Sequence, residues 1–313
     1  MATFLQTLTK IYGESELSQY RFQALKNSFT AHFSADTIDF FSSPGRCEII
    51  GNHTDHNGGK IIAASINMDT IGAAARNQIN QIRIVSEGYP TVSLDLAHLS
   101  DTPKCDGTRS LLAGICQGFL NFGFQIGGFD ACLSSNVIRA AGVSSSASFE
   151  MLLCTMINYF FNQQAATVEQ CAKIGRYAEN EYWDKKCGLL DEMACATGGA
   201  IQLDFHDAEN PMVSKVNFDF SALGYDLLLI NTGKGHADLS REYSEIPTEM
   251  YAVAQALGVS TLAEADLSLL LSHLPEVRAI TGDRAILRAQ HFFHENARVD
   301  LALHAMQEQN IKM

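Results

Sequence analysis

The sequence predicts an α+β protein of two domains, and three observations carry that prediction. Strand-like apolar runs crowd the first hundred residues, at 38–41, 47–50, 61–66, 82–86 and 92–96, punctuated by Gly, Asn, Asp and Pro. Helical spacing takes over in the rest of the chain, with only a few strand-like runs among it. Strands and helices do not alternate one for one, which argues against a doubly wound parallel sheet.

Taken in order, the first helix spans 18–33, with Tyr20, Phe22, Leu25, Phe29 and Phe33 on or near one face. After the strand cluster come a helix over 109–122, a strand over 129–134 and a helix over 145–161. That last helix places Phe149, Leu152, Leu153, Met156, Ile157, Phe160 and Phe161 at helical spacing, which is a core stripe. A helix over 168–182 and a short one from Leu189 follow. Strands are expected at 200–205 and 225–231, then a helical last third ending in a helix over 283–307. The polar stretch 206–211 reads as a loop between an N-terminal domain, 1–205, and a C-terminal domain, 206–313.

With 46% hydrophobic and 18% charged residues, the 313-residue chain has the balance of a soluble globular protein. Its net charge of −13 argues against nucleic acid as a partner, because no basic patch is present to neutralise phosphates. No apolar run is long enough for a membrane span. The N-terminus lacks the features of a secretory signal. Eight cysteines occur without a C-x-x-C pair, which excludes the common zinc and thioredoxin motifs and suggests reduced thiols. The expected setting is the cytoplasm, with a monomer as the default.

Three segments carry chemistry. The first, 44–59, packs Asn52, His53, Thr54, Asp55 and His56 between glycines. Short donors and acceptors at that density suit a ligand rich in hydroxyls, and on composition alone they also suit a polar turn. The second, 136–150, passes from a strand through Ala140, Ala141, Gly142 and Val143 to Ser144, Ser145 and Ser146 at the start of a helix. Unpaired N–H groups and the positive end of the helix dipole make such a point a phosphate site, although serines also serve there as ordinary caps. The third, 178–194, sets Glu179 and Asp191 on either side of a Lys-Lys-Cys-Gly turn. One carboxylate there suits Mg²⁺ and the other suits proton acceptance, while solvated charge beside a turn is the plainer account.

In this order the three segments resemble the signatures of the galactokinases, within the GHMP superfamily of small-molecule kinases. A fourth stretch, 232–243, is similar to the family's segment leading to a sugar-contacting tyrosine. The resemblance implies a two-domain GHMP-kinase-like fold and ATP-dependent phosphorylation of the anomeric hydroxyl of galactose. It implies that Asp191 is the general base and that Arg46 stands beside it. Residues 140–146 would wrap the phosphates, and Ser86 would approach the nucleotide. Ser146 and Glu179 would hold Mg²⁺, while His53, Thr54, Asp55 and Tyr243 position the sugar and Asn52 reads another hydroxyl.

Several positions depart from the family pattern. Asn52 stands where an acidic residue is usual, His56 where tyrosine is usual, and Glu192 where glutamine follows the base. In the phosphate loop Ile138 and Ala140 replace proline and glycine. The family's glycine-rich C-terminal motif has no counterpart, so the C-terminal domain is expected to be incomplete. These departures keep open a kinase for a related sugar and a non-catalytic or degenerate binder of sugar and ATP. The full-length serine run favours catalysis.

Overall fold

The computed structural model describes residues 4–139, 141–183, 187–230 and 240–310. They form two compact units, each discontinuous in sequence. The first takes Met1–Gly45, Asn67–Val137 and Ser145–Ala196; the second takes Arg46–Ile66, Ile138–Ser144 and Thr197–Met313. Residues on the N-terminal side of position 205 therefore contribute to both.

The first unit opens with two helices, α1 (Phe4–Tyr12) and α2 (Glu16–His32). Ser15 caps α2 by accepting the Ser18 N–H. Phe22, Leu25 and Phe29 follow the i, i+3, i+7 rule and are buried with Leu8 against Ile71 and Ala73. Tyr20 does not join them and is 72% exposed, since two residues of helix turn it about 200° away from Phe22. Asp69, itself buried, ties these helices down by accepting from Tyr12 Oη, Ser42 Oγ and Arg21 Nη1.

Strand β1 (Asp39–Ile50) runs unbroken through Pro44 and Gly45, where the sequence suggested two shorter strands. Proline has no N–H to give to a ladder, and β1 tolerates it because its one described neighbour is β2 (Lys60–Arg76). Next come β3 (Gln81–Ser86), β4 (Val92–Asp95), α3 (Gly107–Asn121) and β5 (Phe129–Ser135). In the first unit β5 pairs antiparallel with the end of β2, Thr70 opposite Ser135, and parallel with β3, which pairs antiparallel with β4.

Helices α4 (Ser145–Asn162), α5 (Val168–Tyr182) and α6 (Leu190–Thr197) complete the unit. The expected stripe on α4 is inside: Leu152, Leu153, Met156 and Ile157 are fully buried with Leu112, Ile115, Phe119 and Ile174. Two glycines let α3 and α5 approach closely. A Cβ at Gly114 would lie 2.8 Å from Ala178 Cα, and one at Gly118 2.8 Å from Ile174 Cγ2. Thr167 and Gln170 form a capping box that fixes the start of α5. This packing sets the start of α4, the Glu179 turn of α5 and the first turn of α6.

In the second unit β6 (Ala200–Asp204) pairs antiparallel with the start of β2, Lys60 opposite Asp204, and β7 (Met212–Val216) pairs antiparallel with β6. Four helices follow: α7 (Ser240–Ala256), α8 (Leu267–Ser272), α9 (Leu274–Thr281) and α10 (Asp283–Gln307). Met250, Val253, Leu262, Leu270, Val277 and Phe292 form their core. The strand expected at 225–231 is absent from its described part, 225–230, and position 231 lies outside the described residues. A strand exists by pairing, and no described residue pairs with this run. Leu228 and Ile230 are instead 80% and 84% exposed. All eight cysteines are free thiols. Among the described residues no helix is long and apolar enough to cross a membrane.

Candidate active site

The loop between β1 and β2 starts at Gly51, whose φ of +111° only glycine adopts readily. A Cβ there would lie 2.5 Å from Lys60 O and 2.6 Å from Ile61 Cα. His53 also has a positive φ, +61°, a conformation in which histidine is enriched among non-glycine residues. Thr54 is fully buried, and its hydroxyl lies 2.8 Å from both Gly51 O and Lys60 O. The hydroxyl thus joins the two ends of the loop from inside, and it is through the shape of the loop that Thr54 bears on its neighbours. Asp55 opens a short turn that Gly58 closes by donating its N–H to Asp55 O. Asn57 is buried and its Oδ1 accepts the Leu262 N–H. That fixes the amide so that Nδ2 faces His56 Nδ1, 3.1 Å away. His56 Nδ1 is therefore an acceptor, and the proton of the neutral ring sits on Nε2.

Helix α10 holds this loop from outside. His291 Nε2 lies 2.8 Å from Asn52 O, Glu295 Oε1 accepts the Gly51 N–H at 3.1 Å, and Asn296 Oδ1 accepts the Lys60 N–H at 2.8 Å. Asp300 pairs with Lys60 Nζ at 2.8 Å, and the Tyr251 hydroxyl donates to His56 O. None of these residues was singled out from the sequence. Their spacing was the available signal, because 291 with 295 and 296 with 300 are i, i+4 pairs that flank the buried Phe292 and Val299.

Tyr243, on α7, brings its ring to 5.6 Å from that of His53, and His56 lies 6.2 Å from His53 on the same measure. The structure thus joins the loop after β1 to the tyrosine that ends the fourth stretch. Burial pushes the His53 ring below the ordinary histidine range; Asp55 opposes that shift, and the neighbouring His291 and Arg288 add to it. Burial lowers His56 as well, again against the pull of Asp55. Burial alone would raise Glu295, but the Gly51 N–H and Arg298 outweigh it and hold the carboxyl below its usual range.

Within the same unit Arg46 meets the phosphate loop. Its main-chain N–H donates to Val143 O at 3.2 Å, and its Nη1 lies 2.5 Å from Gly142 O. Gly142 and Ser144 have positive φ, +74° and +55°, Val143 is buried, and Ala141 is partly covered. Ala140 lies outside the described residues.

The first unit carries the remaining candidates. Ser145 and Ser146 form the first turn of α4, half-buried, where main-chain N–H groups have no partner within the helix. Ser148 is turned inward, its Oγ 2.8 Å from both Ser43 O and Thr70 Oγ1. Glu179 on α5 is 1% exposed, and its carboxylate, Glu192 of α6 and the Cys187 thiol bring their ligand atoms within 4.8 Å of one another. Asp191, half-buried, lies in the first turn of α6. Ser86 ends β3 opposite Leu133. Asp191 and Arg46 belong to different units.

Known proteins match this chain over most of its length. The galactokinase galactose-binding signature matches residues 27–76, and the GHMP kinases N terminal domain matches residues 110–199. A galactokinase of Lactococcus lactis (strain IL1403) is 30% identical over 301 residues, covering 92% of this chain and 73% of that protein. A galactokinase of Clostridium tetani is 29% identical over 294 residues with the same two shares. The crystal structure of Lactococcus lactis galactokinase complexed with galactose matches with a TM-score of 0.78 at 25% identity, over 92% of this chain and 74% of that one.

Proposed function

Because the chain belongs to the galactokinase family, within the GHMP kinases, we propose that it transfers the terminal phosphoryl group of ATP to the anomeric hydroxyl of galactose, giving galactose 1-phosphate and ADP. The contact between the rings of His53 and Tyr243 carries this reading. It joins two motifs far apart in sequence at the segment that the galactose-binding signature covers.

In the proposed mechanism Asp191 accepts the proton of the C1 hydroxyl as that oxygen attacks the γ-phosphorus. The bond from the γ-phosphorus to the bridging oxygen breaks, and ADP leaves. Residues 140–146 and the start of α4 bind the phosphates through main-chain N–H groups, with Ser86 near the nucleotide. The permanently charged guanidinium of Arg46 counters the charge that builds on the transferred group, a role its contact with Gly142 supports. Asn52, His53, Asp55 and Tyr243 face the sugar, and Thr54 shapes the loop from inside. Ser146 and Glu179 would hold Mg²⁺; a hydroxyl and a carboxylate are the oxygen donors a hard cation takes. Bound there, such an ion would supply positive charge to the phosphate oxygens. A cytoplasmic monomer is part of the same proposal, in accord with eight free thiols.

A second reading, a kinase for a related sugar, is favoured by exposed Asn52 on the loop, which offers a donor as well as an acceptor. ADP release across a panel of sugars tests both. Turnover fastest on galactose supports the first reading, and turnover on another sugar with galactose inert supports the second. ADP from no sugar contradicts both.

A further inference from the structure

The loop between β1 and β2 is closed on itself by Thr54 and Gly58, and two of its main-chain groups meet side chains of α10. They are the Gly51 N–H, taken by Glu295, and the Asn52 carbonyl, taken by His291. The Asn52 carbonyl belongs to the peptide unit between Asn52 and His53. Fixing its direction fixes that peptide plane, and with it the bearing of the His53 ring towards Tyr243. His53 is held at φ +61°, in the left-handed region, so the direction of this peptide plane decides where its side chain leaves the backbone. Both carboxylate oxygens of Glu295 are engaged, Oε1 by Gly51 and Oε2 by Arg298 at 2.6 Å, so its side chain has little freedom.

We infer that His291 and Glu295 are positioning residues for the sugar, locking the peptide planes on either side of Gly51 and Asn52 so that His53 keeps one orientation. The inference rests on the reading of this loop as the sugar site. His291 acts as a donor whatever its charge, because the carbonyl it meets only accepts. Glu295 acts as an acceptor, and an amide at that place keeps the oxygen the Gly51 N–H needs. A role confined to folding would instead lower stability and disturb both substrates alike.

Four variants separate these cases: His291→Phe and Glu295→Ala remove the donor and the acceptor, while His291→Gln and Glu295→Gln keep them. Sugar KM, ATP KM, kcat and Tm are measured for each, with sugar binding by calorimetry in the absence of ATP. His291→Phe and Glu295→Ala should raise sugar KM and Kd about fivefold to tenfold, the weight of one net hydrogen bond. ATP KM and kcat should stay within about twofold, and the glutamine variants should recover most of the sugar affinity. Unchanged sugar KM and Kd in both deletions, with the parent active, overturns the inference and leaves the galactokinase reading standing. A parallel decline in Tm, kcat and both KM values without rescue by glutamine overturns it as well. A parent chain that neither binds nor phosphorylates any sugar defeats the galactokinase reading first, and the inference with it.

Discussion

His291 and Asn52 stand 239 residues apart in sequence and meet through one hydrogen bond, from the imidazole Nε2 to the main-chain oxygen at 2.8 Å. The most recognisable motif in the chain thus takes its shape from a helix near the other end of the sequence. The motif supplies the groups that would meet a sugar, and α10 supplies their frame.

The start of the loop admits no side chain. Gly51→Ala combines a strained positive φ with a Cβ 2.5 Å from Lys60 O, a backbone atom that cannot step aside. The expected loss is roughly 2 kcal/mol or more of stability, read from urea denaturation. A variant as stable as the parent shows that the loop can rebuild itself.

Thr54→Val keeps the shape of the side chain and removes its hydroxyl. The single hydroxyl proton shared by Gly51 O and Lys60 O is lost from a fully buried side chain. About 1–3 kcal/mol of stability should be lost, together with a rise in sugar KM. If Thr54 instead met the sugar directly, KM would rise with Tm unchanged.

Much of the fold was legible because its signals are local. The apolar stripe of α4, the strands at 82–86 and 129–134 and the turn holding Asp191 depend on residues a few positions apart. The expectations that failed depend on distant partners. The run at 225–230 has the composition of a strand, but pairing decides whether it is one. β7, short and mostly exposed, forms because β6 offers it an edge. At the site the sequence pointed to the polar loop and to Tyr243. That Thr54 turns inward, and that His291 and Glu295 orient the loop, are properties of packing.

Stability should fall with acidity near neutrality. The folded values of His53 and His56 are depressed, chiefly by burial, so the unfolded chain binds protons first as pH drops below about 6.5. The stabilising contribution is complete above that point and is lost as pH falls toward the folded values. At His56 the cost is concrete, because a proton on Nδ1 would face the Asn57 Nδ2 donor. Tm should decline between about pH 7 and 5.5, and His56→Gln should flatten the slope. A Tm that rises over this range contradicts the assignment.

Leu228 and Ile230 lie 80% and 84% exposed within a continuous apolar run. Such a run invites pairing with another chain. Leu228→Lys combined with Ile230→Lys should change stability by less than about 0.5 kcal/mol and reduce light scattering at high concentration. A fall of several degrees in Tm would mean that these side chains are packed in solution.

Phosphoryl transfer to the anomeric oxygen should depend on Asp191 as base. Phosphorus and proton NMR of a reaction with galactose, ATP and Mg²⁺, run for the parent and for Asp191→Asn, tests it most directly. The parent should give an anomeric phosphate, and the variant a rate at least about 10²-fold lower with galactose binding retained. Equal rates from the two proteins, or phosphate on a different hydroxyl, would contradict it.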